Sequence, residues 1–308
     1  MTPDDLNSFL NYLFTGLAYS VAIPFFYIVI FKSPSAIRIY RNTILNMASW
    51  YIITIGFYSI LLQPIYATLP SESCVKFAGL TSYFGREVHV AAVFLAAVSI
   101  ENMLVAIIIC FFYRYDQLRS INNASFLNGL KGFVICLTIH VITSIIACCI
   151  VFIIVRFGEL IEHNGTFLLC FGNDNYHMAK LPASIIGVLL IIECLMSIVF
   201  ACMTVVSLRS QKAHMTEWTI QLQQRLTTNL VVLLFLPIIF DVIPICILCY
   251  MVYIKSDSLY FWVSFTSHTP FWDVMLSFLA TLYFVTPYRK AVKKMLWKTN
   301  VITSSNNS

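Results

Sequence analysis

The sequence predicts an all-α membrane protein: a bundle of seven transmembrane helices followed by a short amphipathic C-terminal helix. Three observations carry this. The 308 residues are 59% hydrophobic and 11% charged, with mean hydropathy +0.83. A soluble domain carries roughly 25% charged residues, and a surface this poor in charge needs lipid as its solvent. Seven apolar runs are long enough to cross a bilayer core, which takes about 20 residues. Finally, Lys and Arg alternate between crowded and sparse connections in the pattern that orients membrane helices.

The runs fall at 9–31, 43–66, 89–112, 132–155, 181–208, 228–254 and 262–286. The first is too long for the apolar part of a cleaved leader. It also follows an acidic stretch, Met1-Thr2-Pro3-Asp4-Asp5, where a leader would be basic. It is therefore taken as a span. With the N-terminus outside, 14 of the 19 Lys and Arg residues face the cytoplasm, five of them in the final segment (Arg289, Lys290, Lys293, Lys294 and Lys298). Carboxylates such as Asp4, Asp5, Glu159 and Glu162 face outward. The net charge of +5 thus lies in a strip against lipid headgroups, and nucleic acid is not an expected partner. The expected location is the plasma membrane, with the C-terminus cytoplasmic.

The connections are short, and no repeat or separate soluble domain is visible. Of 10 cysteines, eight fall inside spans, where a thiol is a small hydrophobe. Cys74 and Cys170 lie in external loops, where oxidation is permitted. The pairing expected is a disulfide between them; the alternative is two free thiols. Asn164-Gly165-Thr166 is a glycosylation signal on the outer side, and Asn123-Ala124-Ser125 is one on the inner side, where it stays bare.

Span six carries Pro237 and Pro244 with Asp241 between them. Each proline removes a helical hydrogen bond, so kinks are expected. After Pro287, the residues Tyr288, Ala291, Val292, Met295 and Leu296 recur at helical spacing opposite Arg289, Lys290, Lys293 and Lys294. A helix of that kind, over 288–298, lies flat on the inner leaflet. Residues 299–308 are polar and are expected to be a disordered cytoplasmic tail.

Several short segments resemble one receptor family. Ile39-Tyr40-Arg41-Asn42-Thr43-Ile44-Leu45-Asn46-Met47-Ala48-Ser49-Trp50 resembles the start of the second helix in nematode serpentine chemoreceptors. Phe111-Phe112-Tyr113-Arg114-Tyr115 is similar to their Phe-x-Tyr-Arg-Tyr signature after helix three. Gln223-Gln224-Arg225-Leu226, with Leu230, Pro237 and Pro244, resembles their sixth helix. His268 and Pro287-Tyr288-Arg289 resemble their seventh helix and its exit. The ordered set spans nearly the whole chain and resembles the Str superfamily, nearest its Srh and Sri classes. Leu233 stands where the family often carries a glutamine. The resemblance implies a chemosensory G-protein-coupled receptor, with a small-molecule ligand, a heterotrimeric G protein and membrane lipids as partners, placed in a sensory cilium.

Four carboxylates fall within spans: Glu101, Glu193, Asp241 and Asp273. A charge at the bilayer centre costs at least about 2.5–3.5 kcal/mol, so each needs the bundle interior, a proton or a partner. Two readings stay open. Glu193, Asp241 and Asp273 line a ligand cavity or form a polar switch, or they are hydrogen-bond glue worth about 0.6 kcal/mol per contact. Arg114, at the inner end of span three, is the candidate for G-protein coupling; the alternative is an anchor of inner-side charge. His140 is the one mid-span histidine. Metal ligands, a cofactor and a catalytic set are not expected, because no motif for them is present. The rival class is a ligand-gated channel or a transporter. A transporter would be expected to show inverted repeats and broken helices.

Overall fold

A computed structural model describes residues 3–34, 37–69, 72–119, 127, 129–163, 166–172, 176–211, 215–254 and 259–305. Seven long helices form the bundle. They are α1 (Pro3–Phe31), α2 (Arg38–Leu62), α3 (Arg86–Arg119), α4 (Gly129–Phe157), α5 (Tyr176–Gln211), α6 (Glu217–Ile254) and α7 (Leu259–Phe284). The first six are each long and apolar enough to cross a membrane. The seventh passes the same test together with the following helix, which turns away by 95°. That helix, α8 (Thr286–Ser305), runs past the expected 288–298 into the polar segment. Asn306 to Ser308 lie outside the described residues.

The helices form because their interiors are runs of Leu, Ile, Phe, Val and Ala, whose backbone groups can be satisfied in lipid only by the helix itself. Their exceptions have local causes. α6 is capped by Thr216, whose hydroxyl accepts from the Thr219 amide at 3.4 Å. Glu217 in its first turn complements the helix dipole. After Pro237, α6 loosens into a π segment, Ile238–Val242, before it resumes at Ile243 and Pro244. The expected kinks are therefore joined by one π-type segment that holds Asp241. α2 ends in a π segment too, Gly56–Leu62, and stops at Gln63, which is left-handed at φ 44°. Gly132 leaves room at the start of α4: a Cβ there would stand 2.1 Å from the Leu127 carbonyl oxygen and 2.9 Å from the Tyr113 hydroxyl of α3. Tyr113 of α3 donates instead to the Gly132 carbonyl.

The core runs along α1, α2, α3, α6 and α7 with Leu190 and Ala201 of α5; in it Phe25 stacks on Phe278 at 4.4 Å with Tyr51 edge-on, and Phe111 and Phe271 belong to the same cluster. α3 is the central helix: 56% of its apolar stretch is buried, against 17% for α4 and for α5. The outer faces of α4 and α5 present Phe133, Leu137, Val188 and Leu195 outward, as lipid-facing helices do.

One end is roofed by a sheet that the all-helical reading did not anticipate. Strands β1 (Pro64–Leu69), β2 (Glu72–Phe77), β3 (Glu159–His163) and β4 (Thr166–Gly172) are antiparallel in the order β1-β2-β4-β3. Span two therefore ends at Leu62, and residues 64–66 belong to a strand. Cys74 and Cys170, expected in loops, stand opposite one another in β2 and β4 and are joined by a disulfide. The roof is seated on α3 by His89, fully buried between Phe77 and Phe167 with both ring centroids 4.8 Å away. Asn164 and Asn123 lie outside the described residues. The roofed end is called the sheet end below; α8 leaves from the tail end.

The bridge closes a sequence separation of 96 residues, for which chain entropy gives about 4–5 kcal/mol. Cys74→Ala and Cys170→Ala are each expected to reduce surface expression in cells. The double variant should lose little more, because the pair acts as one unit. Clearly additive losses, read by surface labelling, would count against it.

Candidate functional site

Four polar assemblies among the described residues matter for the site; three involve charged side chains and the fourth is built around His140. The first is at the tail end. Arg114 of α3 is only 3% exposed. Its guanidinium donates to the Gln223 backbone carbonyl at 3.1 Å, to the Gln223 side-chain carbonyl, and to Gln117 Oε1 at 2.9 Å. Gln223 is on α6, so this arginine clasps α3 to α6. Asp116 is engaged elsewhere, accepting from the Leu127 amide at 3.2 Å. Asn229, two turns along α6, donates to the Tyr40 hydroxyl of α2 at 2.6 Å and to Thr281 of α7 at 3.2 Å. Arg225 donates to Thr286 at the start of α8. Gln223 and Asn229 face inward because they share a helical stripe with buried Leu226, Leu230 and Leu233, whereas Arg225 is exposed.

The second assembly pairs Asp241, in the π segment of α6, with Asp273 of α7. Both are buried, at 3% and 0% exposure. Ser277 donates to Asp273 Oδ1 at 3.2 Å, and Tyr51 of α2 lies beside the pair. The Tyr51 hydroxyl, both Asp241 oxygens and Asp273 Oδ2 are buried together without a well-aligned hydrogen bond. Two full negative charges so placed would cost several kcal/mol each, so the pair holds together as a neutral or singly charged unit.

The third assembly brings Glu193 of α5 against Glu101 of α3. Both line a cavity of about 210 Å³ between α3, α4 and α5. On its other side Glu193 borders a void of about 20 Å³ with Ser197, Pro237 and Ile238. Glu193 thus stands between the cavity and the loosened segment of α6. The three carboxylates expected in one site are divided into two: Glu193 lines a cavity, whereas Asp241 and Asp273 pack against each other. Glu101, left out of the expected ligand set, belongs with Glu193. Its signal was its place in an apolar run, shared with the other three.

His140 is the mid-span histidine, and the structure surrounds it. Its Nδ1 donates to Asn102 Oδ1 at 2.6 Å, and Asn46 donates to its Nε2 at 3.2 Å. Asn102, fully buried, also donates to Ser144 at 2.8 Å and accepts from Thr143 at 3.2 Å. These bonds join α2, α3 and α4. Two larger hollows flank this network: one of about 770 Å³ with apolar walls around Trp50 and Phe152, and one of about 930 Å³ toward the tail end, with Arg38, Asn42 and Gln117. Neither contains a carboxylate. No group of three or more His, Cys, Asp or Glu side chains suited to a metal occurs among the described residues.

The family model described as serpentine type 7TM GPCR chemoreceptor Srh matches residues 2–298. No curated protein matches the chain. Among solved structures, squid rhodopsin is similar in fold, with TM-score 0.62 and 9% identity, over 97% of this chain and 87% of that one.

Removing Asn102 leaves His140, Ser144 and Thr143 without a shared partner. Asn102→Ala is expected to cost about 1–2 kcal/mol, read as a lower unfolding midpoint of the purified protein. His140→Ala in that background should add little, because the two act through one network. Fully additive losses would show that the network is not a unit.

Proposed function

We propose that this chain, which belongs to the serpentine 7TM GPCR chemoreceptor family Srh, binds a small odorant-like molecule within its helix bundle and activates a heterotrimeric G protein. The observation that carries this reading is the clasp between Arg114 and Gln223, set below a helix loosened between Pro237 and Pro244. An arginine has a rigid fork of donors and stays charged. In the resting packing the fork is spent on α6. When α6 swings, the fork is released at the tail end, where carbonyls of a G protein can take it. A ligand drives the change only by binding one packing better than the other.

In this reading the sheet end is extracellular and the tail end cytoplasmic, with the chain in the plasma membrane. The disulfide supports that orientation, since it suits an oxidising compartment, and so does the distribution of Lys and Arg. Asn164 then lies outside and carries a glycan. α8 lies along the inner leaflet among anionic lipids. A sensory cilium is the location that suits a chemoreceptor. Glu193 lines the ligand cavity. Asp241 and Asp273 form the polar hinge between α6 and α7, through which ligand occupancy is felt.

Two substitutions at the clasp test this. Arg114→Lys keeps the charge and loses the fork. It should reach the surface and respond poorly in a G-protein activation assay. Gln223→Ala removes one of the two acceptors on α6 and should raise ligand-independent signalling. Full signalling by Arg114→Lys would leave the residue a charge anchor. A ligand-evoked current that persists without any G protein would favour a channel.

A further inference from the structure

The cavity between α3, α4 and α5 has an unusual lining. Apart from Glu101 and Glu193 every side chain is aliphatic, including Leu104, Ala147, Ile186 and Leu190. No Lys, Arg or His is among them. Glu101 stands fifteen residues past Arg86 on α3, about 22 Å along the helix, and Glu193 ten residues past Ala183 on α5, about 15 Å. Both are therefore deep in the span, where a carboxylate is most costly without a partner. The two reach each other, yet one oxygen of Glu193, Oε2, is wholly buried and bonded to nothing. Room, an unsatisfied acceptor and two acidic groups coincide at one place.

From this we infer that the cavity is a site for a small aliphatic amine, bound as its ammonium ion between Glu101 and Glu193; the inference rests on the reading that the ligand binds within the bundle. An ammonium carries three donors and no acceptor. Two of its protons reach the two carboxyl groups, and its charge supplies the cation that the lining lacks. The hydrocarbon body lies against Leu104, Ile186 and Leu190. A carboxylic acid is repelled, and an alcohol supplies one donor and no charge. The volume, about 210 Å³, is below the roughly 300–1,000 Å³ that holds a drug-sized ligand, so the amine is small.

The test uses the full-length receptor purified in detergent, with its unfolding midpoint followed by tryptophan fluorescence. The probes are n-hexylamine, n-hexanol and hexanoic acid. Hexylamine should raise the midpoint, hexanol should do so less, and hexanoic acid not at all. Glu193→Gln and Glu101→Gln should each weaken the amine effect by about tenfold or more, the range for losing a hydrogen bond to a charged group. Ala147→Phe fills the cavity and leaves both carboxyl groups in place; it should abolish the amine effect. If a glutamine variant fails to fold, Ala147→Phe and the wild-type comparison of amine with alcohol still decide. The assignment is overturned if hexylamine does nothing, if hexanol matches it, or if the amine effect survives Ala147→Phe. No G protein takes part in this measurement. Loss of coupling in cells would therefore strike the receptor reading and leave the amine site standing. Signalling by a ligand indifferent to Glu193→Gln would do the reverse.

Discussion

A polar side chain within the hydrocarbon of a bilayer has only the protein to bond to. In this bundle that constraint sorts the polar residues onto the seams between helices, and the seams differ in how fully they are satisfied. The seam of α2, α3 and α4 is nearly complete: the Asn102 oxygen and amide and both His140 nitrogens have partners. A complete network in a low-dielectric interior is stiff, because every alternative arrangement strands a group. The seams of α6 are built differently. They consist of separate contacts, through Arg114, Asn229 and Arg225, each to a different neighbour. Contacts of that kind can be exchanged one at a time.

This difference divides the bundle mechanically. α3 is gripped along its length, by the stacked His89 at the sheet end, by Asn102 at its middle, and by Tyr113 and the Gly132 carbonyl near the tail. α6 has two prolines and a π segment in its middle, where backbone bonds are already missing or misaligned. Bending it there gives up little that a regular helix would hold. Asp241 occupies that same segment and meets Asp273 of α7. The pair sits where bending would change the spacing of two helices, and a carboxyl pair is sensitive to its own spacing.

The seven helices were legible because hydropathy is a property of each segment alone. The pairing of Cys74 with Cys170 was legible for a related reason: all other cysteines lie in apolar runs. The sheet was not. β1 begins directly after α2, so Pro64 to Tyr66 extend an apolar run that reads as helix. The turn that separates them, at Gln63, has no glycine to announce it. The partners of the buried groups were also hidden. Arg114 and Gln223 are 109 positions apart, and neither residue specifies the rotation of its helix about the bundle axis. The same ignorance of rotation placed Glu193, Asp241 and Asp273 in one set. Their depths are comparable, but α5 turns Glu193 toward α3, and α6 turns Asp241 toward α7.

That rotation decides what a ligand beside Glu193 can accomplish. A ligand that bound both packings of α6 equally would shift nothing, however tight its binding. Moving an equilibrium from 1:99 to 99:1 takes about 5.5 kcal/mol of difference. A hydrogen bond to a charged group supplies about 1.5–3 kcal/mol, so one such contact present in both states contributes none of it, and one gained in a single state contributes a large part. Glu193 is placed for the second case. One face borders the cavity of α3, α4 and α5, and the other borders the small void against Pro237 and Ile238. A side chain drawn toward the cavity leaves that void to be filled, and Pro237, Ile238 and Val242 of the loosened part of α6 are among the groups that line it. In the proposed reading, occupancy on one side of Glu193 is converted into packing on the other, across a single residue and without any longer chain of contacts.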